Sequence, residues 1–232
     1  MPPMKSSVDQ GSSLEYLTVF PDDYVEGKPY PLVILLHGFG ANKDDLSGLA
    51  SVIDRTRYLY VLPDAPLAAA DDPTIRAWYE RGGKESPEAV REALAALDEF
   101  VGEAIARFRV PPGRTLLAGF SQGGAMSLRY GLPRPDLFAG IAVLSGSLRR
   151  VEDLGAGLPP ERKQPIFVAH GRHDSMVPFE WSQDLVAFLE SQGYQPSYKT
   201  YAIDHEISPA LVSDLRNWIN TVLPATRPAE DS

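Results

Sequence analysis

Short continuous apolar runs alternate along this chain with stretches whose apolar residues recur every three or four positions. Leu32–Leu36 and Tyr58–Leu62, the second stopped by Pro63, are unbroken and rich in β-branched or aromatic residues, as strands buried on both faces should be. Thr115–Gly119, Ile141–Leu144 and Ile166–Ala169 predict three more. Leu14–Phe20 alternates like an edge strand and ends at Pro21, and Ser197–Ala202 predicts the last strand. Between them lie helical patterns. Glu88–Phe108 carries an apolar stripe through Val90, Leu94, Leu97, Val101, Ile105 and Phe108, and Ser86-Pro87 supplies a cap residue and a first-turn proline. Gly123–Tyr130, Pro178–Gln192 and Pro209–Leu223 predict three further helices. Strand and helix in alternation predict an α/β protein, with a mostly parallel central sheet and helices on both faces.

No repeat or second domain interrupts the rhythm, so residues 14–223 are read as one domain, with 1–13 an N-terminal extension and 224–232 a frayed tail. Two segments break the spacing. Residues 64–86 are too long for an ordinary strand-to-helix connection and form a candidate substrate-binding loop. Gly155–Gln164, rich in Gly and Pro, is expected to be a surface excursion.

Composition narrows the function. The 232 residues suffice for one sizeable core. With 22 basic against 31 acidic residues, the net charge of −9 repels phosphate backbones, which argues against nucleic acid as a partner. The chain has no cysteine, which removes disulfides, thiolate metal sites and a cysteine nucleophile together. No stretch approaches the roughly 20 apolar residues of a membrane span. Met1–Gln10 has one lysine and no apolar run of signal-peptide type, so a cytoplasmic location is expected.

The chemistry concentrates in Gly119-Phe120-Ser121-Gln122-Gly123, a G-x-S-x-G sequence between a predicted strand and a predicted helix. In such a turn the serine is exposed at the sheet edge, and glycines two positions either side avoid collisions with neighbouring backbone. A serine hydroxyl needs an adjacent base, and base and acid should lie in loops after later strands. Of the four histidines, His205 follows the strand 197–202 and precedes the last helix, where a base belongs. Asp174 follows the strand 166–169, where the acid that orients the base belongs; a turn aspartate or a helix cap is the plainer alternative. The oxyanion of a tetrahedral intermediate would need two backbone donors, expected from Gln122 and from Phe39 in His37-Gly38-Phe39-Gly40. His170, His173 and Asp174 lie within five residues of one another and could be imagined as metal ligands. Their spacing is not helical and no further ligand group supports them, so neither metal nor cofactor is expected. A non-catalytic hydrolase-fold binding module is the remaining rival, and a full serine-histidine-aspartate set argues against it.

Taken together, His37-Gly38-Phe39-Gly40, Gly119 to Gly124, Leu144-Ser145-Gly146, His170-Gly171 with Asp174 and Val177-Pro178, and His205 resemble the phospholipase/carboxylesterase family of α/β-hydrolases. That family includes acyl-protein thioesterases, lysophospholipases and small bacterial carboxylesterases. The resemblance runs from about residue 14 to about residue 223. It implies a serine carboxylesterase acting on acyl esters through an acyl-enzyme, with acyl-protein thioesterase or lysophospholipase as the alternative. It also implies that Ala77-Trp78-Tyr79-Glu80 lies beside the acyl pocket. Trp78, Met176 and Val177 are therefore the candidate substrate contacts. Members of the family often form dimers, so a homodimer is the macromolecular partnership the resemblance suggests. One residue departs from the family's pattern: Asp204 stands before His205, where glycine is usual.

Overall fold

Every side chain of Leu32–Leu36 (β3) is buried, and the reason is the layer on each side of it. Leu32, Ile34 and Leu36 pack with residues of helices α2 (Pro87–Arg107) and α3 (Gln122–Gly131). Val33 and Leu35, pointing the other way, pack with α1 (Gly48–Ile53) and α5 (Pro209–Val222). The remaining helix, α4 (Phe179–Ser191), shares its cluster with the face of α3 opposite Met126 and Tyr130. In this computed structural model, which describes residues 2–80 and 86–224, the chain is a single α/β domain with helices on both faces of one sheet. Residues 81–85 of the expected binding loop and 225–232 of the expected tail lie outside the described residues, as does Met1 of the extension.

The remaining strands are β1 (Ser6–Gln10), β2 (Glu15–Val19), β4 (Leu59–Pro63), β5 (Leu67–Ala68), β6 (Arg76–Ala77), β7 (Thr115–Phe120), β8 (Phe138–Leu144), β9 (Ile166–Gly171) and β10 (Ser197–Tyr201). Seven of them join β3 in the eight-stranded main sheet, in the order β1-β2-β4-β3-β7-β8-β9-β10. From β4 to β10 every neighbouring pair is parallel, and β1 and β2 are antiparallel. The carboxyl ends of β3, β7, β8, β9 and β10 therefore open onto one edge of the sheet, where α/β proteins place their ligands.

Three pieces depart from the expectation. The segment 14–20 is not the edge strand, because β1, inside the presumed extension, pairs along it from Ser6↔Val19 to Gln10↔Glu15. β1 carries a single apolar residue, Val8, which is 56% exposed, so no apolar alternation announces it. The six-residue α1 is too short to show a helical stripe. The loop after β4 contains a small hairpin, Leu67 opposite Ala77 and Ala68 opposite Arg76. The Gly- and Pro-rich excursion does lie at the surface, between the buried Val151 and Leu154 of a 3-10 helix, Val151–Gly157, and the buried Gln164, which donates from Nε2 to Phe138 O at 3.1 Å.

Candidate active site

Ser121 sits at the one place where the chain turns from the central strand β7 straight into α3. Its backbone has φ 54° and ψ −117°, a conformation that costs a serine roughly 1–3 kcal/mol and persists only where the surroundings enforce it. Two features enforce it here. The Ser121 N–H donates to Leu144 O at 2.8 Å, tying the turn to the neighbouring strand. The flanking backbone is also in contact: a Cβ on Gly119 would lie 2.2 Å from Gly123 O, and one on Gly123 would lie 2.1 Å from Leu36 O. Only glycine fits either place, for the steric reason the sequence suggested. Ser121 caps α3 with Gln122 at its first position, where a helix offers no carbonyl to the amide N–H.

Asp174 and His205 meet above the ends of β9 and β10. His205 Nδ1 lies 2.7 Å from Asp174 Oδ2, and the aspartate side chain is fully buried while the imidazole is 16% exposed. Asp174 Oδ1 accepts the N–H groups of Met176 at 2.9 Å and Val177 at 2.7 Å, so its carboxylate cannot rotate away. With Nδ1–H donating to the carboxylate, the tautomer leaves the lone pair on Nε2. The imidazole packs on Phe120, ring centres 4.8 Å apart, and lines the same cavity as Ser121.

A second histidine stands behind this pair. His170 is fully buried, with Nε2 3.0 Å from Val177 O and 3.4 Å from Asp174 Oδ2. Burial pushes its pKa below the ordinary histidine value, which keeps it neutral. His173 is exposed and bonds only through its backbone, N–H to Ile203 O at 3.1 Å. His170 and Asp174 thus meet in the interior while His173 turns to solvent, and no group of three or more metal-ligating side chains occurs among the described residues.

His37 explains the shape of the loop after β3. Its Nε2 accepts the N–H of Ala65 at 3.0 Å and its Nδ1 donates to Gly38 O at 2.7 Å, which requires the neutral ring. Burial lowers its pKa in keeping with that role. The Gly40 N–H donates to Arg76 O and the Arg76 N–H to Ala41 O, at 2.8 and 2.9 Å, so the loop is stitched to β6. Phe39 is 42% exposed at the rim of the cavity.

The cavity has a volume of about 1100 Å³ and is walled by Phe39, Tyr79, Leu148, Met176, Val177 and Trp181 around Ser121 and His205. Met176 and Val177 are thus in its wall. Trp78 is not. It is fully buried behind the wall, with Nε1 donating to His37 O at 3.0 Å and its backbone N–H to Gln122 Oε1 at 2.8 Å, and the neighbouring Tyr79 and Glu80 reach the cavity instead. An aromatic residue in a long loop signals contact with something apolar, and here that is the core. Leu148 and Trp181 were missed, because nothing in a sequence tells which residues beyond β8 and in α4 approach the end of β7. The Gln122 side chain was missed as well.

The sequence pattern of the phospholipase/carboxylesterase family matches residues 24–223. The acyl-protein thioesterase 1 of Mycosarcoma maydis is 28% identical over 240 aligned positions, which span 92% of this chain and 99% of that protein. The carboxylesterase SOBER1 of Arabidopsis thaliana is 28% identical over 202 positions, 81% of this chain and 88% of its own. Among solved structures, the esterase PE8 superposes with a TM-score of 0.78 at 26% identity, covering 89% of this chain and 97% of that one. The crystal structure of SOBER1 does so with a TM-score of 0.73 at 26% identity, covering 84% and 99%. A match through 200 residues of the same fold, with relatives covered over most of their length, means that the chain belongs to the phospholipase/carboxylesterase family of α/β-hydrolases, enzymes that act on ester bonds.

Proposed function

We propose that this chain is a serine carboxylesterase that hydrolyses acyl esters through Ser121, His205 and Asp174. The observation that carries the reading is the 2.7 Å bond from His205 to a buried, doubly anchored Asp174, at a cavity whose floor is a serine held at positive φ. His205 Nε2 takes the Ser121 proton as Oγ attacks the ester carbonyl carbon. The oxyanion accepts hydrogen bonds from the backbone N–H groups of Gln122 and Phe39. The intermediate collapses to an acyl-serine, and His205 returns the proton to the departing alcohol. Water then repeats the sequence and releases the acid, while Asp174 holds the imidazole tautomer and stabilises the imidazolium.

The apolar members of the cavity wall favour an acyl chain, and simple carboxylic esters are the preferred substrates. The likeness to a protein named acyl-protein thioesterase supports a second reading, thioester hydrolysis by the same residues. Aryl esters from acetyl to palmitoyl, compared with thioesters of the same acids, separate the two by kcat/KM. The decisive test of the machinery is labelling by a fluorophosphonate probe together with three variants. Ser121→Ala abolishes labelling and leaves no more than about 10³-fold over water. His205→Asn is nearly as severe, because the two residues act as a unit, and His173→Asn retains the native rate. Substantial turnover by Ser121→Ala or His205→Asn defeats the proposal.

A further inference from the structure

The loops carrying Asp174 and His205 leave adjacent parallel strands, and backbone bonds join them for a few residues beyond the sheet. The Arg172 N–H donates to Tyr201 O at 2.7 Å and the His173 N–H to Ile203 O at 3.1 Å. At Gly171 the two backbones touch: a Cβ there would lie 2.4 Å from Asp204 O and 2.5 Å from Ile203 O. Beyond His173 the backbone ladder stops and a side chain takes over. Asp204 Oδ1 accepts the N–H of Ser175 at 2.7 Å and the N–H of His205 at 2.8 Å. Asp204 Oδ2 accepts the Ser175 hydroxyl at 3.2 Å. One carboxylate therefore bonds both to the residue that follows Asp174 and to His205 itself.

We propose that Asp204 is a positioning residue, whose carboxylate clamps the two loops so that the imidazole keeps its 2.7 Å bond to Asp174 and its aim at Ser121; this rests on the triad reading above. Bonds from amides to an ionised carboxylate are shorter and stronger than neutral ones, which suits a clamp on the protein surface. The same bonds, that from the Ser175 N–H foremost, hold the Asp204 carboxyl below the usual aspartate range, so the clamp stays ionised throughout the working range of a histidine base. Asp204 is exposed and packs against little, so its removal leaves the core untouched.

The test uses the full chain with Asp204→Ala, Asp204→Asn and Ser175→Ala. It reads kcat and KM separately on a short-chain aryl ester, the melting temperature, and the downfield proton resonance of the His205 Nδ1–H bond. In Asp204→Ala, kcat falls about 10- to 100-fold through misplacement of the base, KM and melting temperature stay close to native, and the resonance broadens or moves upfield. Asp204→Asn restores most of kcat and the resonance, because its amide oxygen still accepts both N–H groups. Ser175→Ala, which loses only the 3.2 Å bond, keeps a near-native rate. The clamp is overturned by an unchanged kcat in Asp204→Ala, by an unmoved resonance, or by no rescue in the asparagine variant. Fluorophosphonate labelling of the unaltered protein separates the two claims. Absence of labelling sinks the triad, whereas normal labelling with a native-like Asp204→Ala sinks the clamp alone.

Discussion

Gln122 works through its backbone and its side chain at once. The amide N–H is the proposed oxyanion donor, while Oε1 accepts the Trp78 N–H and Nε2 donates to Tyr79 O, both at 2.8 Å. The side chain thereby fixes the strip of the long loop that presents Tyr79 to the cavity. Replacing it with alanine leaves the N–H in place but strands two backbone groups, one of them fully buried at Trp78, a loss of about 2 kcal/mol. Gln122→Ala is therefore expected to lower the melting temperature and to raise KM more than it lowers kcat, which thermal denaturation and steady-state kinetics read together. An unchanged KM would mean that Tyr79 does not need this support. The residue type was visible in the sequence. Its partners were not, because they lie 43 and 44 positions away in a loop with no period.

At the scale of elements, α5 decides where His205 can be. Its first turn follows His205 by four residues, and Ser208 caps it by accepting the Leu211 N–H at 3.3 Å, with Pro209 at the first helical position. Ser208→Ala is expected to cost about 1 kcal/mol, a fall of about 2–4 °C in melting temperature for a chain of this size. Activity at 25 °C should be close to native, since Leu211, Leu215 and Ile219 still anchor the helix against the sheet. A large loss of activity with an unchanged melting temperature would contradict this division of labour. The α2 helix shows how far a stripe can be read. Its start at Ser86-Pro87 is where the sequence put it, yet the buried face runs through Ala93, Leu97, Phe100, Val101 and Ala104. Leu94 and Ile105 flank that face, partly buried against the same cluster, and Ala93 and Ala104 complete it, because small residues let a helix lie close.

For the molecule as a whole, two buried neutral histidines couple the fold to pH. Burial lowers the pKa of both His37 and His170 in the folded state. Between the depressed folded value and the unfolded value near ~6.5, the unfolded chain binds more protons than the folded one. Their contribution to stability is thus complete above about pH 6.5 and is lost as pH falls below it. Melting temperature should hold level from pH 8 to 7 and then decline toward pH 5. His37→Gln should flatten part of that decline by removing one of the two titrating rings. A melting temperature that stays constant down to pH 5, or rises, would show that neither ring is held neutral by the fold.

The sequence alone determined the alternation of strands and helices and the strand-turn-helix around Ser121, because each is written in contiguous residues. Apolar runs, capping pairs and glycines at fixed offsets are local signals, and burial on two faces makes them unambiguous. The tertiary structure decided what depends on contact between distant segments. A polar five-residue strand, β1, exists only because β2 offers it a ladder. Trp78 faces the core and Tyr79 the cavity because Gln122 holds their backbone. Asp204 bonds to both Ser175 and His205 because two loops 29 residues apart happen to run side by side above β9 and β10. Hydrogen bonds between such segments follow from the strand order, which no local pattern encodes.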